Sequence, residues 1–211
     1  MTRYGSISIR QGTTDIHTFL EAINDYGMLK IRKSDICLDL GANIGSFSLY
    51  AASKGAKVIA FEPASDNYEL LASNVIDKNI IPVKKAVWKD DLGVELVSYA
   101  VSKSCTSVYN HIKEAAIKEK VPSITLKEVI KTYNPLIIKC DIEGAEFEVF
   151  KKIDQKDLSN IREMVIEYHL FNKDNHINNL VEKIKSFGFV VDLRRSKDTK
   201  DNIGIIHAAR E

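Results

Sequence analysis

Asp39-Leu40-Gly41-Ala42-Asn43-Ile44-Gly45 is the stretch on which the fold turns. Immediately upstream, Ile36 to Leu40 is a short apolar run of the kind that forms a buried strand. Downstream, Ile44, Phe47, Ser48 and Ala51 recur at helical spacing, which predicts a helix over 44–53. The stretch is therefore a strand-to-helix turn. Gly41 lets the backbone approach a ligand, and Gly45 lets the new helix pack closely. The helix N-terminus adds unpaired N–H groups.

Outward from this turn, strand and helix alternate. Residues 57–61 read as a second strand, stopped by Pro63, followed by a helix over 64–77 with Tyr68, Leu71 and Val75 on one face. A third strand is expected over 80–87, and 94–101 alternates like a surface hairpin. Thr125 caps a helix over 125–133, with Glu128 completing a capping box. Strand 136–140, helix 144–153, strand 164–168 and a helix over 175–187 ended by Gly188 follow. The last strands are 189–193 and 203–208. This order predicts an α/β fold: a doubly wound, mostly parallel, seven-stranded sheet in three layers, α/β/α. The connection 194–202 is too short for a parallel crossover, so the last strand should run antiparallel to the one before it.

The bulk properties narrow the function. The 211 residues fit one domain. Residues 1–34 are more polar and form a lid-like segment packed on the same domain, and 35–211 carry the sheet. Thirty Lys and Arg against 29 Asp and Glu leave a net charge of +1, too little to attract a nucleic acid or an anionic membrane. No apolar run approaches the roughly 20 residues of a membrane span, and 1–10 lack a signal-peptide core. The expected setting is cytoplasmic, with neither membrane nor nucleic acid as partner. Cys37, Cys105 and Cys140 are too few and too far apart for a disulfide framework or a zinc site.

Glu62 ends the second strand, about 20 residues beyond the glycine turn, where an acid accepts hydrogen bonds from a ribose diol. A dinucleotide turn would carry glycine at 43 and 46, but Asn43 and Ser46 stand there, and no Gly-Lys-Ser/Thr follows. A pyrophosphate cradle is thus poorly supported. A nucleoside-bearing cofactor without phosphate, S-adenosylmethionine, fits better, with Asp39 suited to receive its ammonium.

These residues carry a resemblance. Asp39 to Gly45 resembles the first motif of class I methyltransferases. Ile138-Lys139-Cys140-Asp141-Ile142-Glu143-Gly144-Ala145-Glu146 is similar to a motif of the FkbM methyltransferase family. Weaker matches are Gly12-Thr13-Thr14-Asp15, Val121-Pro122-Ser123-Ile124-Thr125-Leu126 and Ile166-Glu167-Tyr168-His169. Cys140 departs from the family's usual aliphatic residue, and Lys127-Glu128 from its usual acid at the first of these positions. The resemblance implies a methyltransferase domain over 35–211. It implies that Asp39, Gly41, Asn43 and Gly45 contact the methionine part, Glu62 the ribose, and Ala86 and Val87 the adenine, with Ala42 and Pro63 in the same cofactor set. It also suggests O-methylation of a hydroxyl on a small molecule or sugar.

Ligands of open α/β sheets sit beyond the carboxyl ends of the strands, so Asp141 and Glu143 should lie near the transferred methyl. Both are candidate general bases for an acceptor hydroxyl. Lys139, Glu167 and His169 complete the candidate catalytic set. With Glu167 or His169, the two carboxylates could instead assemble a metal site, but no ligand set is assigned. Glu146 and Glu148 read as helix-dipole partners or solvated acids. Two alternatives stay open: an NAD-dependent oxidoreductase, for which Tyr109 and Lys113 have the right mutual spacing, and a cofactor-binding protein without turnover. The 88–120 insertion is expected to shape the substrate site.

Overall fold

The computed structural model describes residues 7–99, 106–107, 116–195 and 202–210. In chain order the elements are α1 (Asp15–Asn24), β1 (Ile36–Leu40), α2 (Ser46–Ser53), β2 (Lys57–Phe61), α3 (Ser65–Asn74), β3 (Ile80–Val83) and β4 (Ala86–Trp88). Then come β5 (Val94–Tyr99), β6 (Thr106–Ser107), β7 (Ala116–Val121), β8 (Ser123–Thr125), α4 (Leu126–Tyr133) and β9 (Ile137–Cys140). The chain continues through α5 (Glu146–Lys151), β10 (Glu163–His169), α6 (Ile177–Ser186), β11 (Val190–Arg195) and β12 (Ile203–Ala209).

The main sheet has seven strands in the order β11-β12-β10-β9-β1-β2-β3. All neighbours pair in parallel except β12, which runs antiparallel between β10 and β11. The period of two along each strand divides its residues between two apolar layers. Cys37, Val58, Ala60, Ile137 and Val165 meet α2 and α3 through Phe47, Tyr50 and Leu71, and meet Ala22 and Tyr26 from the N-terminal segment. Leu38, Leu40, Ile59, Phe61, Ile138, Cys140 and Ile166 face the other way, onto Val129 and Ile130 of α4, Val149 and Phe150 of α5, and Ile184 of α6. Each fully buried aliphatic side chain contributes about 1.5–3 kcal/mol, so these layers fix the register of the central strands.

Several boundaries differ from the sequence expectation. The third strand breaks in two: β3 pairs with β2, whereas β4 pairs with β8 in a separate two-stranded sheet. Lys84 and Lys85 stand at the break, where the Lys85 amide donates to the Val83 carbonyl in a tight turn. Pro82 is tolerated because β3 is the sheet edge. The helix expected from 44 starts at Ser46, since Asn43 and Gly45 hold positive φ, and the helix expected from 144 starts at Glu146, since Glu143 and Gly144 do. The alternation at 94–101 belongs to a three-stranded antiparallel arm, β6-β5-β7, of which β6 and β7 were not foreseen. Residues 100–101, Cys105, Tyr109, Lys113 and most of the connection 194–202 lie outside the described residues. The capping box of Thr125 and Glu128 is present as expected.

Candidate active site

The carboxyl ends of β1, β2 and β9 open into one pocket of about 870 Å³, counting the part open to solvent. Gly41 begins the loop after β1, and its amide donates to the Phe61 carbonyl of β2 at 3.0 Å. Its φ is +76°, and a Cβ built there would stand 1.8 Å from the Asp141 carbonyl oxygen. Only glycine lets the loops after β1 and β9 touch. Gly45, at φ +96°, serves the packing expected of it, because a Cβ there would press on Leu71 of α3 at 2.8 Å.

Glu62 is buried at the end of β2. Its carboxylate accepts from the Asn43 amide at 2.8 Å and the Ala64 amide at 3.0 Å. It thereby ties the glycine loop to the start of α3. Burial pushes the carboxyl up to about 7, against the pull of these amides, of Asn67 and of Lys139. Glu62 and Pro63 line the pocket beside Ala42, Asn43, Ala86, Val87 and Leu96. Of the expected cofactor residues, Gly41, Ala42, Asn43, Glu62, Pro63, Ala86 and Val87 are thus brought together, whereas Asp39 and Gly45 do not line the pocket.

Asp39 is fully buried and does not line the pocket. It accepts from the Ser48 hydroxyl at 2.7 Å, and its other oxygen lies 3.3 Å from the Lys139 ammonium. The register explains the pair, since Asp39 and Lys139 are direct partners between β1 and β9. Lys139 is itself nearly buried, donates to the Gly41 carbonyl at 2.7 Å and stands 3.5 Å from Asp141. Burial alone would lower its pKa, but Asp39, Asp141 and Glu167 outweigh that and hold it above the ordinary lysine value. Lys139, and not Asp39, therefore meets whatever enters from the pocket side.

Past Asp141 the catalytic candidates converge. Tyr26, just beyond α1, reaches across the sheet ends and places its hydroxyl 2.6 Å from Glu167 and 3.1 Å from Asp141. Its ring stands edge-on to Phe47 and beneath the Lys139 ammonium, 5.2 Å away. Burial, then the Asp141 charge, pushes the Glu167 carboxyl up to about 8. The phenol donates to Glu167, with the Asp141 carboxylate as its second, longer acceptor. His169 is buried between two acids, with Nδ1 at 3.3 Å from Glu146 and Nε2 at 3.6 Å from Glu143. Burial opposes its charge, but Glu146, Glu143 and Asp141 prevail and raise the imidazole to about 10. Glu146 accepts from the Ile142 and Gly144 amides and so holds the loop that carries Glu143.

Two participants were not legible in sequence. Tyr26 arrives from a distant segment, with no local motif to mark it. Glu146 reads as an ordinary acid at a helix start, yet it is fully buried against His169; Glu148, its companion, is only partly buried.

A glycine cradle, a buried acid at the next strand end and a seven-stranded sheet with an antiparallel β12 define a class I methyltransferase, a fold built around S-adenosylmethionine as methyl donor. The methyltransferase FkbM domain model matches residues 39–191, and the chain belongs to the FkbM methyltransferase family. It is 26% identical over 224 residues to methyltransferase sdnD of Sordaria araneosa, covering 88% of this chain and 85% of that one. It is 24% identical over 199 residues to the 31-O-demethyl-FK506 methyltransferase FkbM of Streptomyces tacrolimicus, covering 77% and 75%. A methyltransferase FkbM structure from Methylobacillus flagellatus superposes with a TM-score of 0.61 at 17% identity, over 90% of this chain and 47% of that one. Aeropyrum pernix fibrillarin, solved with S-adenosylmethionine, superposes at 0.52 and 12% identity, over 90% and 74%. The same fold therefore occurs in a fibrillarin, and the expectation of no nucleic-acid partner has no support from the fold. Membership of a methyltransferase family leaves the oxidoreductase alternative without support. No helix among the described residues is long and apolar enough to cross a membrane.

Proposed function

We infer that the protein transfers the methyl group of S-adenosylmethionine to a hydroxyl of a small molecule or sugar. The observation that carries this reading is the polar end of the pocket, where Asp141, a quarter exposed, stands against the Gly41 loop on one side and the Tyr26–Glu167 pair on the other. The name of the Streptomyces relative, which specifies a 31-O-demethyl substrate, supports an oxygen acceptor.

When bound, S-adenosylmethionine supplies an electrophilic methyl on a sulfonium. The residues of this chain account for the rest. Glu62 faces the ribose, Ala86, Val87 and Leu96 offer an apolar wall for the adenine, and Gly41, Ala42 and Asn43 hold the methionine part. Asp141 accepts the acceptor's proton as its oxygen bonds to the methyl carbon. The bound cofactor would supply the methyl and keep the carbon–sulfur electron pair, leaving as a neutral thioether. Tyr26 and Lys139 orient the Asp141 carboxylate through the contacts described above. Alignment of oxygen, methyl and sulfur is the larger part of the catalysis. Residues 7–31 cover this end of the sheet as a lid: Ala22 and Tyr26 line the pocket, and Ser8 and Asn74 bond each other, tying the segment to α3.

The test is turnover with methyl-labelled S-adenosylmethionine against hydroxylated polyketides, sugars, amine-bearing analogues and a structured RNA. Label in an ether product, lost in Asp141→Asn, is expected. Label carried only by amines or by RNA would overturn the hydroxyl assignment.

A further inference from the structure

Asp141, Glu143 and His169 each offer one ligand atom, and these atoms lie within 4.8 Å of one another. We propose that the three side chains hold a divalent cation at the acceptor end of the pocket. The proposal rests on that end receiving the acceptor.

The geometry is close to what an ion needs. Opposite ligands of a small divalent ion, bonded at about 2.1 Å, stand about 4.2 Å apart, so no pair has to close by more than about 0.6 Å. His169 Nε2 and Glu143 are already 3.6 Å apart, an ordinary separation for neighbouring ligands.

A second, independent feature is the support behind His169. Its Nδ1 lies 3.3 Å from Glu146, which is fully buried and anchored by the Ile142 and Gly144 amides. A buried carboxylate on one ring nitrogen fixes the imidazole and turns the other nitrogen outward, the support that metal-bound histidines have. Here Nε2 is the nitrogen turned toward Glu143. Glu146 also leaves one buried oxygen without a hydrogen-bond partner among the described residues, so positive charge close by offsets a cost that the amides leave standing.

Two carboxylates with one imidazole suit a cation that accepts oxygen and nitrogen together, such as Mn²⁺. An ion at this place would hold an acceptor oxygen beside Asp141 and weaken its grip on the proton.

The experiment titrates Mn²⁺ into the full chain and follows the free-ion resonance by electron paramagnetic resonance. S-adenosylmethionine binding is measured separately by calorimetry. One Mn²⁺ per chain is expected, bound at least tenfold more weakly in His169→Gln. On the unsubstituted protein, Mn²⁺ should broaden the imidazole signal that the His169→Gln spectrum lacks. Glu143→Gln replaces that variant if it does not fold. A wild-type protein that binds S-adenosylmethionine but no Mn²⁺ at millimolar concentration would overturn the metal site and leave the methyltransferase assignment standing. Equal Mn²⁺ affinity in the variant would overturn it too, while loss of S-adenosylmethionine binding by the wild type would strike the assignment instead.

Discussion

Asp39 and Lys139 illustrate how a side chain's role depends on its partner across the sheet. From sequence alone, Asp39 is the natural receiver of the cofactor's ammonium. In the fold, the β1–β9 register sets Lys139 against it, and Ser48 takes its second oxygen. Pairing between strands far apart in sequence is not written in either strand, so this contact was not legible. Tyr26 is another such case. Tyr26→Phe keeps the ring against Phe47 and below Lys139 but removes the hydroxyl shared by Asp141 and Glu167. A hydrogen bond to a charged group is worth about 1.5–3 kcal/mol, so kcat should fall roughly 10–100-fold. Affinity for S-adenosylmethionine should stay within about twofold. An unchanged kcat would remove Tyr26 from the account of Asp141.

At the scale of elements, the loops decide function and are the hardest to read. The glycine turn was legible because Gly41 and Gly45 mark positions that only glycine fills easily. The break between β3 and β4 was not, because Ile80 to Val83 and Ala86 to Val87 read as one strand interrupted by Lys84 and Lys85, where the chain in fact turns. The start of α1 carries its own prediction. Asp15 is fully buried and receives the Arg10 amide at 2.8 Å, its Nε at 3.0 Å and its Nη2 at 2.8 Å. Burial would raise the Asp15 carboxyl, but Arg10 outweighs it and holds the pKa below its ordinary value of 3.8. A lowered acid stabilises the fold fully above its unfolded value and loses that contribution as pH falls through the folded one. Asp15→Asn should therefore cost about 1–3 kcal/mol at neutral pH. The gap from wild type should close below about pH 3.8. Urea unfolding of both proteins across that range checks this; a gap that persists in acid would dismiss the pair as an anchor of the N-terminal segment.

At the scale of the molecule, the sheet was the most legible feature. Each central strand announces itself as an apolar run between turn signals, and the short return before β12 forces the antiparallel ending. The arm of β5, β6 and β7 was less so, since β7 mixes charged and apolar residues and packs few of them: Ile117 is 56% exposed while Val121 is buried. The arm still matters to the whole, because Leu96 and Val121 join Ala64 and Ala86 in one small core beside the pocket. The proposed cofactor and acceptor sites share the strand ends, and the loops after β1 and β9 touch at Gly41.

That contact gives the most direct test. Calorimetric titration of S-adenosylmethionine, and separately of NAD, into the wild-type protein and Gly41→Ala addresses the central claim. One S-adenosylmethionine per chain is expected, with no heat from NAD and at least tenfold weaker binding in the variant, whose new Cβ meets the Asp141 carbonyl. Binding of NAD in place of S-adenosylmethionine, or a folded Gly41→Ala protein with undiminished affinity, would contradict the site as described.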